Sequence, residues 1–153
     1  MRGETGVKVC IVYGTRRGST EAVARAMAEA IKGLAEVEVF SVAENPALDD
    51  CDLVVIGAPI YYERPVPEVM EFIRSKNGLK GKDVALFILS IAEKFGKLGK
   101  AYTERRYMIL MKRPVKGRIV ATKAFEGWLF ETNAETLRNA QKWIREVVST
   151  YRK

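Results

Sequence analysis

The sequence predicts a doubly wound α/β domain, a five-stranded parallel sheet in the order 2-1-3-4-5 with helices on both faces. Three observations predict it. Five short runs of β-branched and aliphatic residues are spread along the 153 residues. The segments between them carry apolar residues at three- and four-residue spacing, as helices do. No internal repeat, low-complexity stretch or Pro/Gly linker divides the chain, so residues 1–153 read as one domain. A chain of this length buries roughly two-thirds of its unfolded surface in a single core. Five strands at this length favour the 2-1-3-4-5 order over the longer six-stranded dinucleotide fold.

Each element follows in turn. Val7 to Tyr13 is apolar and bounded by Gly6 and Gly14, a buried strand. Val23, Met27, Ala30, Ile31 and Leu34 then mark a helix packing one face and ending near Gly33. Val37 to Val42 partly alternates apolar with polar, as an edge strand does, and charge at Glu36 and Glu38 guards it against edge pairing. Leu53-Val54-Val55-Ile56-Gly57 is continuously apolar, as a central parallel strand is. The second helix starts at Pro65 or Pro67, where proline suits a first turn, with Val66, Met70 and Ile73 inward. Val84 to Leu89 is the fourth strand. A helical stripe of Leu98, Ala101, Tyr102, Met108 and Ile109 follows, stopped by Pro114. Arg118 to Ala124 is a fifth, shorter strand. Thr132-x-x-Glu135 has the form of a capping box, opening a last helix whose stripe is Leu137, Ile144, Val147, Val148 and Tyr151.

Composition narrows the chemistry. Apolar residues at 48% and charged residues at 29% give a soluble globular balance. With neither a signal-peptide apolar region nor a membrane span, the cytoplasm is the expected compartment. Cys10 and Cys51 lie in apolar strand-like segments without CxxC spacing, and no histidine completes a zinc site, so both are expected to be small buried hydrophobes. Neither a disulfide nor a metal is needed for stability. The lack of histidine excludes every Ser-His or Cys-His nucleophile, so no side chain is assigned a catalytic role and a cofactor would carry any chemistry.

In a sheet of this order the ligand crevice lies beyond the carboxyl ends of the strands where the order reverses. That brings together three loops: Gly14 to Thr20, Ala58 to Glu63, and Ser90 to Gly96. The first offers hydroxyls at Thr15, Ser19 and Thr20, backbone amides at the Gly18 turn and the positive end of a helix dipole, the parts of an anion site. It lacks the lysine and glycine spacing of a Walker A loop and is not G-x-G-x-x-G. A plain capped turn uses the same residues. In the second loop Pro59 stiffens the backbone, and Tyr61 and Tyr62 stand where a flat ring could stack. A phosphate loop beside an aromatic loop points to a phosphorylated aromatic cofactor.

The run Val12-Tyr13-Gly14-Thr15-Arg16-Arg17-Gly18-Ser19-Thr20-Glu21-x-x-Ala24 resembles the FMN-phosphate signature of flavodoxins, and Asp52 to Tyr61 is similar to that family's third strand and flavin-facing loop. The resemblance implies a flavodoxin-like fold with FMN as cofactor. Thr15, Arg16, Arg17, Gly18, Ser19 and Thr20 would hold its phosphate. Pro59, Ile60, Tyr61 and Tyr62 would line one side of the isoalloxazine, and Ser90, Ile91 and Ala92 the other, with Phe95 added. The protein would then transfer electrons or act as an FMN-dependent oxidoreductase.

Charge sets the chain apart from acidic flavodoxins. Its net charge is +7, and residues 93–118 hold nine Lys and Arg against two acidic residues. Arg16 in the loop and the Ile-Gly-Ala-x-Ile-x-Tyr second loop resemble the flavodoxin-like protoporphyrinogen oxidases. That resemblance implies a propionate-bearing substrate, which a cationic rim of Lys94, Lys97, Lys100, Arg105 and Arg106 would steer; the same run also reads as a solvated basic helix. The long insertion of the oxidase branch after the fifth strand is replaced here by Ala124 to Phe130, whose Phe125, Trp128 and Phe130 are expected to cover the sheet edge, the alternative being an apolar surface for a partner. The basic face 94–118 suits a redox partner protein, a small acidic substrate or peripheral contact with an anionic membrane. No RNA-reading motif points to nucleic acid. A flavin-free basic interaction module on the same fold is the remaining alternative.

Overall fold

The five apolar runs become parallel strands: the three central ones are buried and can satisfy their backbone only in the ladder, while the two outer ones are partly exposed. The computed structural model describes residues 5–14, 16–91 and 96–151, without the side chains at 96–100 and 103. The elements in chain order are β1 (Lys8–Tyr13), α1 (Ser19–Ile31), β2 (Glu36–Ser41), β3 (Leu53–Tyr61), β4 (Arg64–Pro65), α2 (Pro67–Ser75), β5 (Asp83–Ser90), α3 (Gly96–Lys112), β6 (Arg118–Glu126) and α4 (Ala134–Thr150). The sheet runs β2-β1-β3-β5-β6. This is the expected five-strand order, with β4 added as a two-residue antiparallel strand on the end of β3.

The period-two alternation of β1 divides the core. Val9, Ile11 and Tyr13 face α1 and α4, meeting Met27, Ile31, Ile144 and Val148. Cys10 and Val12 face the other way, with Val54, Ile56, Leu86 and Ile88, onto Val69 and Ile73 of α2 and Met108 and Met111 of α3. Phe87 meets Phe125 and Trp143 edge-on at 6.1 and 6.4 Å between centroids. Its ring lies flat against Gly57, where an added Cβ would stand 2.0 Å from it.

Several expectations are corrected. Cys10 and Cys51 form a disulfide, with Cα atoms 5.9 Å apart. β1 and β3 are adjacent, Cys10 opposes Val54 in register, and Cys51 enters β3 on the same face. Two cysteines 41 residues apart leave no local motif for this, only topology. The last helix is capped by Asn133, whose side-chain oxygen accepts the Thr136 N–H at 3.1 Å. Thr136 is buried and donates its hydroxyl to the Glu126 carbonyl at 2.7 Å, tying α4 to the end of β6 and setting the helix start one residue later than a Thr132 box would. Among the described side chains of α3, Tyr107, Met108 and Met111 are buried, while Tyr102 and Ile109 point out; the Leu98 side chain lies outside the described residues. In α2 Val69 and Phe72 take the inward places and Met70 is half-buried. Phe125 is buried, but Phe130 stands 88% exposed and covers nothing.

Lys8, which interrupts the first apolar run, is buried at the sheet end among Glu36 at 3.5 Å, Asp50 at 2.6 Å and Glu38. Its hydrogen bonds to Asp50 and Glu38 outweigh burial and raise its pKa. A buried ammonium is tolerated only with such partners. The two glutamates expected to guard the edge thus neutralise this lysine. Among the described residues no helix is long and apolar enough to cross a membrane.

Candidate functional site

The carboxyl ends of β1, β3 and β5 stand side by side, with Tyr13 opposite Gly57 and Pro59 opposite Leu89. Gly14 extends the ladder one residue, its N–H reaching the Gly57 carbonyl at 3.1 Å. A side chain at Gly14 would strike Val69 of α2 at 2.4 Å, so glycine lets the loop leave β1 tightly against that helix. The chain then turns at Gly18, whose φ of 88° is left-handed and suits glycine, directly into α1.

Gly18 caps α1 without a side-chain hydrogen bond. Among the described residues the first-turn amides of α1 therefore lack the usual capping oxygen, and the helix presents the positive end of its dipole to the crevice. Thr20 is fully buried there, and its Oγ1 has no hydrogen-bond partner among the described residues. A buried hydroxyl left unpaired costs roughly 1–3 kcal/mol. An anion bound at this turn would take that hydrogen bond, so the residues present fit a phosphate. On the same turn Glu21 is drawn aside to Arg25 at 2.9 Å. Burial, with Glu21 nearby, raises the pKa of the Tyr13 phenol.

The two arginines of the loop differ. Arg16 grips Glu68, in the first turn of α2, through both terminal nitrogens, with Nη2 2.9 Å from Oε1. It also lies 5.9 Å from the centroid of Tyr61. Arg17 is exposed and makes no ion pair among the described residues. Sequence reasoning did not find Glu68, because nothing in a chain separation of 52 marks the partner.

The stretch expected as a second loop is mostly strand. Pro59 is buried within β3, its carbonyl accepting the Val66 N–H at 3.2 Å. Ile60 and Tyr61 pair with Pro65 and Arg64. The turn between is Tyr62-Glu63, with φ of 51° and 60°. Both are left-handed, as a two-residue hairpin of this kind requires, yet neither is glycine or asparagine. Tyr62 projects 92% exposed from the tip, while Ile60 and Tyr61 are half-buried beneath it. Ser90 ends β5 half-buried, and Ile91 beyond it is 40% exposed. Thr15, Ala92, Lys94, Phe95 and the side chains of Lys97 and Lys100 lie outside the described residues. Of the expected site, the structure thus brings together Arg16 to Thr20, Ile60 to Tyr62, and Ser90 with Ile91. Among the described residues no cluster of metal-ligating side chains occurs.

A family model described as a flavodoxin domain matches residues 10–140. The chain belongs to the flavodoxin-domain family. Among solved structures, flavodoxin 1 from Bacillus cereus superposes on this flavodoxin domain with a TM-score of 0.68 at 18% identity, covering 95% of this chain and 99% of that one. A Fusobacterium nucleatum flavodoxin variant bound to flavin mononucleotide gives 0.66 at 16% identity, covering 95% and 98%. Among curated proteins, the oxidase of reduced coenzyme F420 from Methanothermobacter thermautotrophicus is 32% identical over 85 residues, 51% of this chain and 21% of that protein. The match therefore spans about a fifth of that relative.

Proposed function

We propose that this flavodoxin domain binds FMN through the Arg16–Thr20 turn and works as a redox protein that passes electrons between partners. The observation that carries the reading is the buried, unpartnered Thr20 hydroxyl at a helix N-terminus beside a hairpin bearing Tyr61 and Tyr62. Family membership and the fold shared with an FMN-bound flavodoxin support it.

Bound FMN supplies the electron transfer chemistry. The chain's own residues do the rest. Thr20 and the first-turn amides hold the phosphate, with the α1 dipole favouring its charge. Tyr61 offers an aromatic ring with the Arg16 guanidinium 5.9 Å from its centroid, and Tyr62 stands at the hairpin tip, open to a ring or a partner.

Titration of the stripped protein with FMN and with riboflavin tests the reading. FMN should restore a yellow protein and bind at least tenfold more tightly than riboflavin, which lacks the phosphate. Absence of FMN binding would leave only the flavin-free interaction module and overturn the proposal. The narrower reading, protoporphyrinogen oxidation, rests on two motifs, and the arginine that suggested it is engaged by Glu68. Turnover of protoporphyrinogen with a quinone acceptor by the FMN-loaded protein would establish it.

A further inference from the structure

The connections that lead into β5 and β6 lie side by side at the amino ends of the strands, the pole opposite the crevice. Gly78, left-handed at a φ of 64°, turns its carbonyl to the N–H groups of Lys116 and Gly117 at 2.6 and 3.2 Å. A side chain at Gly117 would collide with the Leu79 and Lys82 carbonyl oxygens, so the two connections are stitched into one surface. Residues 74–82 bring Arg74, Lys76, Lys80 and Lys82 to it, and residues 112–118 bring Lys112, Arg113, Lys116 and Arg118. Eight of the 26 Lys and Arg thus stand here with none of the 19 Asp and Glu, and without them the chain would carry −1 rather than +7. Arg118 is engaged by Asp83, and Lys82 by the carbonyls of Asp49 and Cys51. The other six make no ion pair among the described residues, and all but the half-buried Lys76 are exposed. Asp49 and Glu71 border the patch.

We propose that this pole is a docking surface for an anionic phospholipid bilayer, on which the domain stands with its crevice facing away. Clusters of about four to eight Lys and Arg collect anionic headgroups with no apolar insertion. Among the described residues the exposed large apolar side chains are Tyr62, Ile91, Tyr102, Ile109, Leu129 and Phe130, all outside the two stretches. A protein partner would therefore find no aromatic or aliphatic anchor of the kind that carries a specific interface. Single-stranded nucleic acid would find no ring to stack on. Neither connection projects as a helix or ribbon able to enter the groove of a duplex. A charged plane requires none of these. Strand β5 separates the pole from the crevice by about 23 Å, so a bilayer bound at one leaves the other uncovered. The inference does not rest on FMN binding.

The test mixes the purified full chain with vesicles of phosphatidylcholine carrying roughly 30% phosphatidylserine, or of phosphatidylcholine alone, and reads the bound fraction by sedimentation. Binding to the anionic vesicles that is lost at high salt and is at least tenfold weaker to the neutral ones is the expected result. Lys80→Gln with Lys116→Gln should weaken it about tenfold, and Lys80→Glu with Lys116→Glu further. Arg138→Glu with Lys142→Glu on α4 makes the same change in net charge as the glutamate pair but away from the pole, and should leave binding within about threefold. On the vesicles, hydrogen exchange should slow at residues 76–82 and 112–117 and stay unchanged at 60–63. Equal binding to both kinds of vesicle, an equal loss in the α4 variant, or protection at the crevice end would overturn the proposal. So would preference for a DNA duplex or for polyglutamate over the anionic vesicles in competition, which would assign the pole to nucleic acid or to an acidic protein.

Discussion

Arg16 and Glu68, 52 residues apart, form a two-nitrogen ion pair that ties the loop after β1 to the start of α2, directly beside the Tyr61 ring. The pair is more than a third exposed on both sides, so it contributes about 1 kcal/mol or less to stability. Its place in the site matters more, because it commits one of the two loop arginines away from an incoming phosphate.

The two arginines should therefore separate in FMN binding. Arg17→Ala is expected to weaken FMN roughly threefold and flatten the salt dependence of its affinity, as loss of an exposed cation does. Arg16→Ala should weaken it through a loosened Tyr61 while leaving the salt dependence in place. Fluorescence titrations at low and high ionic strength distinguish the two.

Thr20→Val should change holo and apo proteins in opposite directions. Without FMN, removing a buried unpaired hydroxyl should leave stability unchanged or raise it by about 1 kcal/mol, measured by urea denaturation. FMN affinity should fall by roughly tenfold or more, the worth of a hydrogen bond to a charged group.

The Cys10–Cys51 disulfide closes a long stretch of chain, with a sequence separation of 41. Constraining the unfolded chain over that length is worth about 4 kcal/mol. Cys10→Ala with Cys51→Ala should lower the denaturation midpoint accordingly. Alkylation of the unreduced, unfolded wild type should add no label to either cysteine.

At the far end of the sheet Arg118 Nε donates to Asp83 Oδ1 at 2.8 Å and the Tyr151 hydroxyl donates to Asp83 Oδ2 at 2.6 Å. Arg118 first, then Tyr151, hold the Asp83 carboxyl below its ordinary pKa against the opposing effect of burial. Stability from a lowered carboxyl is fully present above the unfolded value, near 3.9, and is lost as pH falls through the folded value. Asp83→Asn should be less stable near neutral pH and show a flatter acid limb. Burial, followed by Asp83, raises the Tyr151 phenol, so its contribution is lost as pH climbs above about 10. Tyr151→Phe should flatten the alkaline limb. Urea melts across the pH range measure both.

The strand order and the tight turn into α1 are legible because they rest on local patterns: β-branched runs, helical spacing, and a glycine before Ser19 and Thr20. What escaped was non-local or broke its local rule. The Tyr62-Glu63 turn carries no glycine or asparagine, so the β3–β4 hairpin gave no turn signal and its residues read as loop. The pairings of Cys10 with Cys51 and of Lys8 with Glu36, Glu38 and Asp50 depend on which strands become neighbours. The face of α3 was misread because, among its described side chains, Tyr107, Met108 and Met111 are the buried ones, whereas Ala101 and Tyr102 continue the apolar spacing into solvent.

Gly57 and Phe87 occupy what is in effect one side-chain volume on two neighbouring strands. Neither position can drift alone. A larger residue at 57 evicts the ring, and a smaller one at 87 opens a void beneath Phe125 and Trp143. Relatives that carry a side chain at the first position should therefore carry a reduced one at the second, making the pair a covarying mark by which this arrangement of the sheet can be traced through diverged sequences.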